Sequence, residues 1–244
     1  MQIDKIHLGD AFDLIKQIPD GSVDVVITSP PYSMGKEYES KKRDLSTFIH
    51  DQEIMISECY RVLKNGGSLC YQVGMFVKDN AVTPLIYIIF PIVSKHAKKL
   101  VLRNEIAWHF GFGLNCKRRF SGRYESILWY TKGNDYQFND KRDLGDFWEI
   151  TNVKANHPEK TLHPCQFPKE LPERLINALC PKDGIVLDPY MGSGTVAIAA
   201  IEEGVHYIGF EKEKAYVDIA NERIKHTNCK TGMRHEQTLL TDFK

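Results

Sequence analysis

Ile185-Val186-Leu187-Asp188-Pro189-Tyr190-Met191-Gly192-Ser193-Gly194-Thr195 is the stretch that decides the fold. Three apolar residues suited to a buried strand empty into an acid and a Gly-x-Gly turn. Val196-Ala197-Ile198-Ala199-Ala200-Ile201 then continues as a helix. Strand, glycine turn and helix in this order form the ligand corner of a Rossmann-type unit. Glycines there let the backbone bend and come close to a ligand. Tyr207-Ile208-Gly209-Phe210 reads as the next strand and ends in Glu211, 23 positions beyond Asp188. A carboxylate about 20 residues on is placed to reach ribose hydroxyls. The third glycine of a dinucleotide fingerprint is missing, and no lysine stands where a phosphate-binding loop requires one. A loop flanked by carboxylates suits a positively charged, nucleoside-like ligand better than a pyrophosphate.

A second apolar run, Val23-Asp24-Val25-Val26-Ile27, leads through Thr28 into Ser29-Pro30-Pro31-Tyr32. Proline has a fixed φ and no N–H, and it pushes the preceding residue out of the helical region. Two prolines therefore hold Ser29 and Pro30 extended, with a hydroxyl and a carbonyl presented as acceptors. An exocyclic base amine is a poor nucleophile because its lone pair is delocalised into the ring. Acceptors that bind its two hydrogens draw the nitrogen toward sp³ and free that lone pair. Tyr32 offers a face for the base to stack on, worth about 1–3 kcal/mol in single-strand binders. The same four residues also read as an ordinary strand-to-loop turn.

The rest of the chain sets these parts in an α/β frame. Strands are expected at Lys5 to Leu8, 23–27, Ser68 to Val73, Arg103 to His109, Ser126 to Thr131, 185–187 and 207–210. Helices are expected at Ala11 to Ile18, Thr47 to Leu63, 81–98 and 169–180, with 133–160 irregular. Alternating strands and helices argue a mostly parallel twisted sheet with helices on both faces. At 244 residues one domain is expected. Lysine and arginine balance aspartate and glutamate at 32 each, so nucleic-acid affinity must come from local patches. The six cysteines show no metal-ligand spacing and read as reduced thiols. The apolar run Ala81 to Val93 is too short to span a membrane and reads as a buried core helix. Without a basic-then-apolar leader, a cytoplasmic protein is expected. Asp4, Asp13 and Asp24 read as surface carboxylates, and His109 as structural.

With its motifs in order, the chain resembles the DNA amino-methyltransferases of restriction–modification systems, the N4-cytosine/N6-adenine class. Thr28 to Tyr32 matches that family's catalytic motif, and Asp188 to Thr195 its S-adenosylmethionine motif. The catalytic motif comes first, which is the circularly permuted order of the beta subgroup. The resemblance spans most of residues 3–225. It implies a Rossmann-like S-adenosylmethionine-dependent methyltransferase fold, catalysis by Ser29, Pro30, Pro31 and Tyr32, and base flipping from double-stranded DNA. It assigns the S-adenosyl-L-methionine site to Asp10, Ala11, Lys160, His163, Pro164, Asp188, Tyr190, Met191, Gly192, Ser193, Gly194, Thr195 and Glu211. Serine at position 29, where adenine enzymes commonly carry aspartate, favours cytosine N4, with adenine N6 as the alternative. A homodimer and a partner restriction endonuclease stay open as partners.

DNA contacts are read from charge. Lys117, Arg118, Arg119 and Arg123, interleaved with Phe120 and Tyr124, form the best patch, and Lys36 stands in a second basic loop. Basic side chains beside aromatics suit phosphates and an exposed base, although a solvated loop has the same composition. Relatives carry a substantial target-recognition region between the equivalents of Phe138 and Trp148, where this chain has nine residues. Sequence reading therefore falls to core loops or a second subunit. Three further readings remain. A nicotinamide oxidoreductase would want the missing glycine, and a non-catalytic DNA-binding subunit would be expected to lose Ser29, Tyr32 or the glycine loop. Pro-Pro-Tyr loops also serve planar amides in RNA and protein.

Overall fold

Val23–Thr28 is buried at every residue, the mark of a strand inside a parallel sheet covered on both faces. The computed structural model describes residues 1–32, 45–111, 113, 116–139, 144–154, 156–228 and 240. Its elements begin with β1 (Lys5–Leu8), α1 (Ala11–Leu14, continued by a 3-10 turn at Ile15–Gln17), β2 (Val23–Thr28), α2 (Leu45–Val62) and β3 (Leu63–Val73). There follow β4 (Met75–Lys78), β5 (Ala81–Pro84), α3 (Ile86–His96), β6 (Leu100–His109), β7 (Tyr124–Lys132) and β8 (Phe147–Glu149). The chain closes with α4 (Glu170–Leu179), β9 (Ile185–Asp188), α5 (Thr195–Glu203), β10 (His206–Glu211) and α6 (Lys214–Lys225).

Among the described residues, eight strands make one sheet in the order β1-β10-β9-β2-β3-β7-β6-β8, and β4 pairs with β5 as a hairpin. Among the described strands of the large sheet, β7 alone runs against its neighbours. Side chains alternate between faces. Val26 and Leu187 join the core under α1, α2 and α3. Val25, Ile27 and Val186 join the core under α4, α5 and α6. Burial of each such side chain is worth about 1.5–3 kcal/mol relative to exposure, so the sheet centre is a rigid base. From β2 the chain crosses by α2 to β3 on one side, and from β9 by α5 to β10 on the other. The β2/β9 boundary is therefore a topological switch point, where such sheets bind ligands.

Four expectations need correction. The segment 81–98 is not one helix: Asp79 and Asn80 adopt positive φ (51° and 63°) and turn β4 into β5 before α3 begins. Two such residues favour a tight hairpin turn. Nor is α3 buried all round, since Tyr87 is 75% exposed. Within 133–160, β8 pairs in parallel with β6, and Phe138 stacks on Trp129. Asp4 and Asp24 are buried rather than superficial. Asp24 accepts from Lys64 Nζ and the Ile185 N–H, both at 2.9 Å, and Asp4 pairs with His206 Nδ1 at 2.8 Å. Asp13 is exposed, as expected. Among the described residues, no helix is long and apolar enough to cross a membrane.

Candidate active site

Because β2 and β9 are neighbours, the two motifs that leave their C-terminal ends meet. Thr28 Oγ1 donates to Asp188 Oδ1 at 2.8 Å, and the Tyr190 N–H donates to the same oxygen at 3.0 Å. Asp188 is 1% exposed, and its Oδ2 has no hydrogen-bond partner among the described residues. Loss of solvent pushes its pKa from 3.8 up to about 7, against the pull of the Tyr190 and Thr28 hydrogen bonds and with the Glu211 charge adding to the rise. A buried oxygen left without a partner costs free energy, and more when the carboxyl is ionised.

The glycine turn lies beside it. Gly192 (φ 53°) and Gly194 (φ 83°) both occupy the left-handed region. The Gly192 N–H donates to Glu211 Oε2 at 3.0 Å, and a Cβ at Gly192 would stand 3.0 Å from His163 Nε2. Gly194 has a different reason to be glycine than the ligand approach expected of it. A Cβ there would meet the Ala220 Cβ at 2.8 Å, so this position admits α6. Arg223 on α6 braces the turn from behind, with Nη1 donating to the Ser193 carbonyl at 2.6 Å and to Thr195 Oγ1 at 3.2 Å. Burial raises the Glu211 pKa, and backbone N–H donors at Glu213, Gly192 and Lys212 oppose the rise. His163 packs edge-on against Tyr216 at 4.4 Å.

Ser29, Pro30, Pro31 and Tyr32 line the same cavity, whose volume is about 400 Å³. That lies within the usual small-molecule range of about 300–1,000 Å³. The Tyr32 hydroxyl sits 3.5 Å from the Gln72 carbonyl oxygen. Its burial pushes the phenol well above the ordinary range, the Glu125 carboxylate adds to this, and a hydrogen bond with Ser29 opposes it. Gln72 on β3 donates its side-chain amide to Glu125 on β7. Trp108 and Phe110, at the end of β6, complete this wall.

Of the residues expected at the cofactor, Asp10, Ala11, His163, Pro164, Tyr190, Met191, Gly192, Ser193, Thr195 and Glu211 line the cavity. Asp188 and Gly194 are not among the lining residues. Asp10 also caps α1, accepting from the Phe12 N–H at 2.8 Å. Lys160 is not among the lining residues, and its ammonium donates to the His163 carbonyl at 2.9 Å. Lys117, Arg118, Arg119 and Arg123 are in the β6–β7 loop, outside the cavity. Lys36 lies outside the described residues. The sequence reading missed Gln72, Glu125, Phe110 and Asn152, which line the cavity. The Asn152 Oδ1 is buried and has no hydrogen-bond partner among the described residues. These residues come from strands and loops with no motif of their own, so no local signal marked them.

A family model described as DNA methylase, of the N6/N4 type, matches residues 23–222. The type II methyltransferase M.BglII of Bacillus subtilis is 37% identical, over 89% of this chain and 68% of that protein. The DNA adenine methyltransferase YhdJ of Escherichia coli is 29% identical, over 90% of this chain and 81% of that protein. Among solved structures, a protein of Thermus thermophilus assigned as a DNA modification methylase, complexed with S-adenosyl-L-methionine, superposes with a TM-score of 0.70. It is 26% identical, covering 91% of this chain and 94% of that one.

Proposed function

Since the chain belongs to the N6/N4 DNA methylase family, we propose that it methylates the exocyclic N4 of cytosine in duplex DNA, using S-adenosyl-L-methionine and flipping the base into the cavity. The observation that carries this reading is the Thr28–Asp188 hydrogen bond, which ties the Ser-Pro-Pro-Tyr loop and the glycine turn into one mouth.

The residues present fit the cofactor. Its adenosine has ribose hydroxyls for Glu211 and an adenine for the Asp10 end of the cavity. Its positive charge suits a turn lined by Glu211, with Asp188 at the end of the strand that feeds it. A cation seated near Asp188 would draw its carboxyl toward the ionised form, so charge on the ligand offsets the burial that raised the pKa. His163 and Tyr216 wall the turn. When bound, the cofactor supplies an electrophilic methyl group on sulfur.

The chain supplies orientation. The Ser29 hydroxyl and the Pro30 carbonyl take the two amine hydrogens, and the Tyr32 ring stacks on the flipped base. The nitrogen gains the methyl and loses one proton, which leaves along the Ser29 hydrogen bond toward solvent. Ser29 favours cytosine, whereas likeness to an adenine methyltransferase keeps adenine N6 as the second reading.

Nucleoside analysis of DNA methylated by the purified protein tests the base, with N4-methylcytosine expected. Methylation-aware sequencing of DNA from expressing cells then returns the recognised sequence. N6-methyladenine alone would overturn the base assignment, and no DNA product on diverse substrates would overturn the whole reading.

A further inference from the structure

Phe120 is 100% exposed, a large apolar side chain with its whole surface in water. It contributes nothing to either core, which leaves its ring available to a partner. The loop that carries it, between β6 and β7, rises from the cavity rim. Phe110 at one stem and Glu125 at the other both line the cavity. The stem is narrow. The Phe110 N–H donates to the Arg123 carbonyl at 2.9 Å, and a Cβ at Gly113 would collide with the Gly122 carbonyl, so glycine alone permits this approach. Further out, the Cys116 N–H reaches Ser121 Oγ at 3.4 Å. These crossings leave 117–120 as the tip of a finger. Arg119 Nη1 donates to the Phe120 carbonyl at 3.1 Å, holding the tip backbone while the phenyl ring projects. Lys117, Arg118 and Arg123 are exposed around it.

We propose that Phe120 is the wedge that enters the duplex and fills the space left when the target base turns into the cavity, with the surrounding cations holding the phosphates on either side. This rests on the base-flipping reading above. An apolar side chain among cations matches both parts of a duplex, whose backbone is anionic and whose base stack is apolar. Proteins that kink or open duplexes insert Phe, Leu, Ile, Met or Pro in this way. A base taken out of the stack leaves its neighbours without a stacking partner, and the phenyl ring restores part of that stacking. The finger and the cavity share their stems, so an inserted ring and an extruded base are handled by one structural unit. Phe120 is a positioning residue, because it touches the DNA left behind rather than the reacting atoms.

The test compares the full-length protein with Phe120→Ala and Phe120→Trp on two duplexes carrying the sequence found by methylation-aware sequencing. In one the target cytosine faces guanine. In the other it faces an abasic site, so that extrusion is already favoured. On the paired duplex, kcat/KM for Phe120→Ala should fall by roughly tenfold or more, since extrusion from a paired stack is the costlier. On the abasic duplex it should match wild type, and Phe120→Trp should retain most activity on both. Affinity for random duplex should stay within about twofold, because the phosphate contacts remain. A 2-aminopurine placed at the target position should brighten on binding wild type, as it leaves the stack, and far less on binding Phe120→Ala. Equal losses on both duplexes, or none on the paired one, would overturn the wedge. So would a changed oligomeric state accompanied by unchanged fluorescence, which would make the ring a subunit contact. Wild-type protein that methylates neither duplex would overturn the enzyme reading and this inference with it.

Discussion

Asp188 at the glycine turn is 1% exposed and held by Thr28, 160 residues away in sequence, whereas Phe120 at the finger tip is 100% exposed and braced from within its own loop. One region is built from distant pieces of the chain and the other from a single hairpin-like segment. Changes at the turn therefore alter folding, the proposed cofactor site and the approach of α6 together. Changes at the finger leave the core untouched and act only on what docks against it. Surface substitutions away from special features usually move stability within about 0.5 kcal/mol.

The sharpest way to break this contrast is Gly192→Val. A branched side chain at φ 53° is strained, and its Cβ would crowd His163. S-adenosyl-L-methionine affinity should drop by roughly a thousandfold or more, read by calorimetric titration, with circular dichroism reporting the fold. Glu211→Ala should lose less, about 1–3 kcal/mol. Unchanged affinity in both would remove the cofactor from this turn.

Next in size is a pH effect confined to the buried region. Asp188 has a folded pKa of about 7 against an ordinary 3.8. The folded state then holds a proton that the unfolded state has lost, so stability falls as pH rises through that window and levels off above it. Ligand-free wild type should lose about 3 kcal/mol of unfolding free energy between pH 5 and pH 8 relative to Asp188→Asn. The asparagine still offers an acceptor to Thr28 and Tyr190 but does not titrate. Parallel urea-unfolding profiles for the two proteins would show that Asp188 stays ionised.

Tyr32 lies between the extremes, half-buried in the cavity wall. Tyr32→Ala should cost about 1–3 kcal/mol in kcat/KM, the worth of a stacking face, while Tyr32→Phe should cost much less. Equal losses would move the role from the ring to the hydroxyl, which sits near Gln72 and Ser29. The smallest effect belongs to the finger's charges. Arg118→Glu combined with Arg119→Glu should weaken binding to specific and random duplex alike by about tenfold. It should also flatten the salt dependence by roughly one unit of slope for each phosphate no longer neutralised. Normal DNA binding with methylation at new sequences would show that these arginines read bases.

The glycine turn was legible in the sequence because its chemistry is local. A strand, an acid, two glycines and a helix follow one another, and Gly192 takes the backbone conformation that its residue type permits. Ser-Pro-Pro-Tyr was legible for the same reason, since proline constrains its neighbours whatever the fold. The hairpin at Asp79-Asn80 was missed because the apolar periodicity after it reads as helix from Ala81 onward. The burial of Asp4 and Asp24 was missed because a carboxylate's partners, here His206, Lys64 and the Ile185 N–H, are supplied by strands and turns far along the chain.

The two chemical elements and their order are readable from the residues alone, since both rest on backbone preferences and side-chain types within about ten residues. That they meet is a product of packing, because strand adjacency is set by how the whole sheet buries its two faces and not by any segment of it. The same packing turned Gly194 from a ligand-facing position into the seat of α6. It placed Gln72 and Glu125 in the wall of the cavity. It also left Phe120 outside both cores, projecting from that cavity's rim.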